Sequence, residues 1–227
     1  MINWYSGLIL MGLLLSIPLF FIKHRYQKQH QIIFIILFVV TLVEIYGTYT
    51  MNRSINNTLA YNLVFVYLET YLIFWLFNDI FNSKKAKNIL KIGAIVFTIW
   101  GLVNTFFIQD FLTFHTNSYT LGSFIIISSS IYYFVSIFLD EDKNEKQLVV
   151  NPLFWIVTFI FFFYSATFLY FLSYKLILNM DRTFARTLVH LNQVLAVILY
   201  IGMGTEFYLP FFFSKIRAKN VENDFNK

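Results

Sequence analysis

Apolar residues run along this chain in seven blocks, separated by short turns rich in Lys, Asn and Asp. A block of about 20 apolar residues is long enough to carry a helix across the ~30 Å hydrocarbon of a bilayer. The blocks predict helices over about Trp4–Ile22, Gln31–Thr50, Tyr61–Phe81, Asn88–Ile108, Tyr119–Leu139, Pro152–Tyr174 and Thr187–Phe213. Pro18 lies near the inner end of the first, where a kink is tolerated. The gaps leave no room for a soluble domain. The pattern therefore describes one all-α membrane domain, a seven-transmembrane-helix bundle over residues 1–215, followed by a short polar tail, 216–227.

Charge orients the bundle. The turns after the first, third and fifth helices and their edges, with the tail, hold thirteen Lys and Arg, beginning with Lys23, Arg25 and Lys28. The opposite side holds four: Arg53, Lys175, Arg182 and Arg186. By the positive-inside rule the N-terminus lies outside and the C-terminus in the cytoplasm. In the first block the basic residues follow the apolar run and no small-residue cleavage site appears, so it reads as a retained helix rather than a secretory signal.

The informative positions are those that break the apolar pattern at depth. Glu44 on the second helix sits about 20 Å from the inner face, and Glu69 on the third about 12 Å from the outer one. Because these helices are consecutive and antiparallel, the two acids fall at nearly one level. Carboxyls at that depth are costly and usually face partners or a wet cavity. Two close together cannot both ionise cheaply. Two readings stand: carboxyls that tie helices together through hydrogen bonds, or a pair that shares a proton or binds a cationic or polar ligand. Asn62, seven residues before Glu69, is expected on the same helical face, and Gly47 and Thr48 share a face with Glu44. Tyr46, Tyr49, Tyr67 and Tyr71 add hydroxyls, and Asn192 opens the seventh helix beside His190 and Gln193. If these faces meet, they form a polar vestibule open to the outside and closing downward onto Glu206.

Composition supports this picture and narrows the chemistry. The chain is 58% hydrophobic, 21% aromatic and 13% charged, whereas a soluble domain is about a quarter charged. The net charge of +5 does not imply nucleic-acid binding, since the basic residues gather at helix ends. With no Cys, disulfides, thiolate metal sites and cysteine nucleophiles are excluded. The last helix has no lysine to carry retinal, and the four His lie at or beyond helix ends rather than clustered as zinc ligands. The third helix ends in FNDIFNS, without the acidic-Arg-Tyr signature of G-protein-coupled receptors. HExxH, GxSxG and P-loop spacings are absent. No catalytic residue, cofactor or metal site is expected.

Several short motifs occur together: Asn62 with Glu69, Glu44-x-x-Gly47, Ser118-Tyr119-Thr120-x-Gly122-Ser123, and Pro152-Leu153-Phe154-Trp155 with Tyr164-Ser165. The set resembles an uncharacterised family of small bacterial seven-helix membrane proteins, similar to the membrane sensor regions of some histidine kinases. The resemblance implies a signalling context and supplies no catalytic residues.

These readings lead to a non-enzymatic sensory module of the cytoplasmic membrane. It would bind a small ligand or proton from outside near Glu44, Glu69, Asn62, Glu206, Asn192 and Tyr67. Its expected partners are the bilayer and a histidine-kinase-type protein at the basic inner loops, with no nucleic acid. The alternative is a small proton-coupled transporter using the same carboxyls, although repeated halves and Gly/Pro-broken helix pairs are missing. A lipid-modifying enzyme with a carboxylate acid/base is the third class.

Overall fold

The computed structural model describes residues 3–139, 145–173 and 182–213. The polar turn around Lys143, the turn containing Lys175 and the basic tail from Lys215 lie outside them. Seven helices are long and apolar enough to cross a membrane, and the protein is an all-α, seven-helix, multi-pass bundle. They are α1 (Trp4–Phe21), α2 (Gln27–Met51), α3 (Thr58–Ile80), α4 (Lys84–Ile108), α5 (Thr116–Phe138), α6 (Pro152–Leu172) and α7 (Arg186–Phe213). A short helix, Glu145–Val150, precedes α6.

Several helices run beyond the apolar blocks at their polar ends. α2 begins at Gln27 because its first turn packs on α1: His30 is fully buried, and its Nε2 lies 2.8 Å from Ser16 Oγ. Ser83 caps α4, accepting a hydrogen bond from the Ala86 N–H at 3.4 Å, so the Lys-rich segment is the helix's first turn rather than a loop. Near the expected Pro18 kink, α1 tightens into a 3₁₀ turn over Ile17–Phe21. Pro210 has the same effect in α7. It donates no N–H to the Glu206 carbonyl and crowds it, and regular α-helix stops at Thr205, giving way to a 3₁₀ turn over Glu206–Tyr208.

Neighbours in the bundle run from α1 to α7 in chain order, and α7 closes back onto α1, with further contacts between α2 and α7 and between α3 and α5. The α1–α7 seam is set by glycine. A Cβ on Gly204 would strike the Gly12 carbonyl, and one on Gly12 would lie 2.6 Å from the Tyr200 carbonyl oxygen. Two helix backbones approach this closely only where both lack side chains. The buried core (Ile33, Ile36, Leu37, Ile73, Phe77, Tyr200) lies along the inward faces of α2, α3 and α7. α4 stands outermost, packed on α3 and α5. Its outward stripe of Ile89, Ile92, Val96, Ile99 and Val103 is the apolar surface that lipid covers.

Candidate functional site

α3 is not uniform. Residues Asn62–Leu68 form a π-helical stretch, which closes with the Glu69 N–H donating to the Val64 carbonyl, five residues back. A π turn takes in more residues than an α turn, so residues four apart line up and residues seven apart do not. Tyr61, Phe65 and Glu69 accordingly share one face and line a cavity of about 760 Å³. Asn62 does not join them, contrary to the seven-residue spacing read from the sequence.

The cavity sits at the end of the bundle that holds the start of α1, the α2–α3 turn and the start of α7. Each helix except α4 lines it, and α2, α3, α6 and α7 do so with stripes at helical spacing. α2 presents Glu44, Gly47, Thr48 and Met51; α6 presents Phe163, Thr167 and Phe171; α7 presents Asn192, Ala196 and Tyr200. α1 contributes Tyr5 and α5 contributes Tyr119. Ser54, in the turn at the mouth, takes the left-handed conformation with φ of 55°. This lets the Ile55 N–H return to the Thr50 carbonyl at 3.0 Å and end α2 sharply.

Both acids lie in this cavity. Glu69 is 2% exposed, and its Oε1 accepts a hydrogen bond from the Tyr200 hydroxyl at 2.8 Å. The fully buried Tyr164 hydroxyl faces the same carboxyl without a well-formed hydrogen bond to it. Glu44 is 6% exposed, and its Oε2 accepts from the Tyr61 hydroxyl at 3.3 Å. The Tyr5 hydroxyl approaches Glu44 from α1. Gly47 makes the Tyr61 contact possible, because a Cβ there would overlap the Tyr61 hydroxyl. Tyr119 donates to Thr167 at 3.1 Å and stacks on Tyr164, with ring centroids 6.1 Å apart. Among the described residues lining the cavity none is Lys, Arg or His. Among the described residues the one ion pair, Lys28–Asp79, joins α2 to the far end of α3. Two acids thus meet a ring of aromatic faces and hydroxyls, with no countercharge among the described residues that line the cavity.

Of the six residues singled out from the sequence, the fold brings Glu44, Glu69 and Asn192 to this cavity and uses the other three elsewhere. Asn62 fastens the α4–α5 turn. Its Nδ2 donates to the Thr113 carbonyl at 2.8 Å, and its Oδ1 accepts from the His115 N–H at 2.9 Å. The Tyr67 hydroxyl supports the same turn, 2.8 Å from His115 Nδ1 and 2.9 Å from Thr105 Oγ1. Burial holds the His115 imidazole below its usual range. Glu206 sits half-buried in the 3₁₀ turn at the opposite end of α7 and does not line the cavity, so the vestibule does not close onto it.

The hydroxyls around the acids come from other tyrosines than those expected. Tyr46 and Tyr49 are about half exposed, and Arg53 both hydrogen-bonds the Tyr49 hydroxyl and lies over its ring. Tyr71 pairs with Thr98 on α4 at 2.7 Å. Helical phase accounts for the first two: two and five residues after Glu44, at 3.6 residues per turn, they point away from it. The same count along α7 links Asn192, Ala196 and Tyr200, and would have found Tyr200.

No metal cluster of His, Asp and Glu occurs among the described residues. No protein-family model, curated protein or solved structure matches the chain.

Proposed function

We propose that the protein is a sensory module of the cytoplasmic membrane that binds a small organic cation, of the amine class, in the cavity between Glu44 and Glu69. One observation carries this reading: two buried carboxyls line a cavity of about 760 Å³ that holds aromatic rings and no basic residue among its described lining. That volume lies within the range of small-molecule sites. A cation supplies the charge the two acids lack, and Tyr and Phe faces stabilise it further by about 0.5–2 kcal/mol. By the positive-inside rule the mouth opens outward and the basic turns face the cytoplasm, where a histidine-kinase-type partner would read a change in helix packing.

The test is thermal unfolding of the detergent-purified protein against a panel of primary and quaternary amines, beside Glu44→Gln and Glu69→Gln. A bound amine at 100 times its Kd stabilises by about 2.7 kcal/mol. A concentration-dependent rise in Tm that either Gln variant loses supports the proposal, as does co-purification with a kinase-type partner. Amines that never shift the wild type refute it. The transporter reading rests on the same intramembrane carboxyls, and amine or proton flux in proteoliposomes that depends on Glu69 would put it first.

A further inference from the structure

A second cavity, of about 490 Å³, lies on the outer side of the bundle between α4 and α5, away from the two acids. Its α4 wall is the stripe Lys85, Ile89 and Gly93, four residues apart; its α5 wall is the stripe Phe124, Ser128 and Tyr132. The floor lies where Gly93 meets Ile125, with a Cβ on Gly93 falling 3.4 Å from the Ile125 side chain. Phe81 closes one end against Tyr132, their rings edge to face at 5.0 Å. The groove is therefore apolar along most of its length. It turns basic at the start of α4, where Lys85 lines it and exposed Lys84 lies beside it.

That charge is placed against the helix's own field. Lys84, Lys85 and Lys87 occupy the first turn of α4, which holds no acidic residue. A helix N-terminus carries about half a positive charge and is stabilised by anions rather than by lysines. Among the described residues none of these lysines has an ion-pair partner, since Asp79 is taken by Lys28. An apolar groove facing the hydrocarbon, joined at its end to lysines that have no acidic partner among the described residues, is complementary to an acyl chain with a negatively charged headgroup.

We propose that the α4–α5 groove is a binding site for one anionic phospholipid. An acyl chain lies between Ile89 and Phe124, and the phosphate is held by Lys85, with Lys84 beside it, at the Ser83-capped start of α4. The lipid neutralises the first turn and covers the exposed Ile89, which is 60% accessible in the bare protein. This site is independent of the proposed amine cavity.

The test titrates dioleoylphosphatidylglycerol and dioleoylphosphatidylcholine into the full-length protein in a neutral detergent, with bound lipid counted by native mass spectrometry. The anionic lipid is expected to bind at least tenfold more tightly. Lys84→Gln and Lys85→Gln should each weaken it about fivefold, since a lysine near an anionic lipid contributes about 1 kcal/mol. Gly93→Phe fills the groove and should weaken binding with every lysine in place; Ser128→Leu does the same from α5 if the first variant does not fold. Equal binding of the two lipids overturns the proposal. So does full phosphatidylglycerol affinity in both folded groove variants, which would mean a diffuse surface charge. Displacement of the lipid by millimolar inorganic phosphate would assign the lysines to a free anion and overturn it as well.

Discussion

Replacing Tyr200 by Phe removes one hydroxyl from the bundle and leaves the ring in place. The hydroxyl is fully buried and donates to Glu69 Oε1 at 2.8 Å. Deleting one partner of a buried hydrogen bond leaves the other unsatisfied, a loss of about 1–3 kcal/mol. For a chain of this length each kcal/mol moves Tm by about 2–4 °C, so Tyr200→Phe should lower it by about 2–12 °C. Glu69→Leu alone orphans the Tyr200 hydroxyl and falls in the same range. The double variant removes donor and acceptor together, and replacing both by apolar groups of similar shape is nearly neutral or stabilising. It should return to within about 0.5 kcal/mol of the wild type or exceed it, a coupling close to the sum of the two single losses, about 2–6 kcal/mol. Thermal unfolding of all four proteins in one detergent, at one scan rate, measures this cycle. A double variant that loses the sum of both single losses refutes the reasoning. Recovery would mean that the Glu69 carboxyl is not needed to hold the helices together and is free to serve the cavity.

Three other outcomes follow from the same geometry. Gly47→Ala places a methyl where the Tyr61 hydroxyl now lies; the ring can swing aside and helix propensity improves by about 1 kcal/mol, so Tm should hold while amine-dependent stabilisation falls, as it should in Tyr61→Phe. An unchanged amine response in both would detach Tyr61 from the site. Asn62→Ala cuts the α4–α5 turn loose and should lower stability by about 1–3 kcal/mol with amine binding retained, measured by the same unfolding assay. For His115, whose pKa burial lowers in the folded protein, the unfolded chain binds more protons, so stability is complete above about pH 6.5 and declines as pH falls below it; His115→Gln should flatten that decline, and an identical Tm–pH curve would count against it.

The spans were legible because hydropathy reports length directly: blocks of apolar residues can satisfy their backbone in lipid only as helices. Their polar ends were less so, since Gln27–His30 and Lys84–Lys87 are not apolar and are helical through packing on α1 and through the Ser83 cap. Glu44 and Glu69 were found because a carboxyl in an apolar run stands out. Asn62 was misplaced because its relation to Glu69 was counted at 3.6 residues per turn through a stretch that is π-helical, and nothing in NLVFVYL distinguishes that from ordinary helix. Tyr5 and Tyr119 carry no local signal either; they reach the cavity through the order of helices around the bundle, which hydropathy does not encode. The interruption of α7 was readable from Pro210.

The arrangement divides the bundle unequally. α1 and α7 meet backbone to backbone at Gly12 and Gly204, a seam with no side chain whose rotation could absorb a change. α4 meets its neighbours through side chains instead: Tyr67 against Gly101, Tyr71 and Phe74 against Phe97, and Ile125 against Gly93. α3 gives one face to the cavity with Tyr61, Phe65 and Glu69, and another to α4 and its following turn with Asn62, Tyr67 and Tyr71. The π-helical stretch lies between these faces, and its geometry allows both to be served at once. α5 likewise reaches the cavity with Tyr119 and the lipid-side groove with Phe124 and Tyr132. Since α4 lines only the groove while α1, α2, α6 and α7 line only the cavity among the described residues, packing alone leaves α3 and α5 as the route by which an occupant of one could bear on the other.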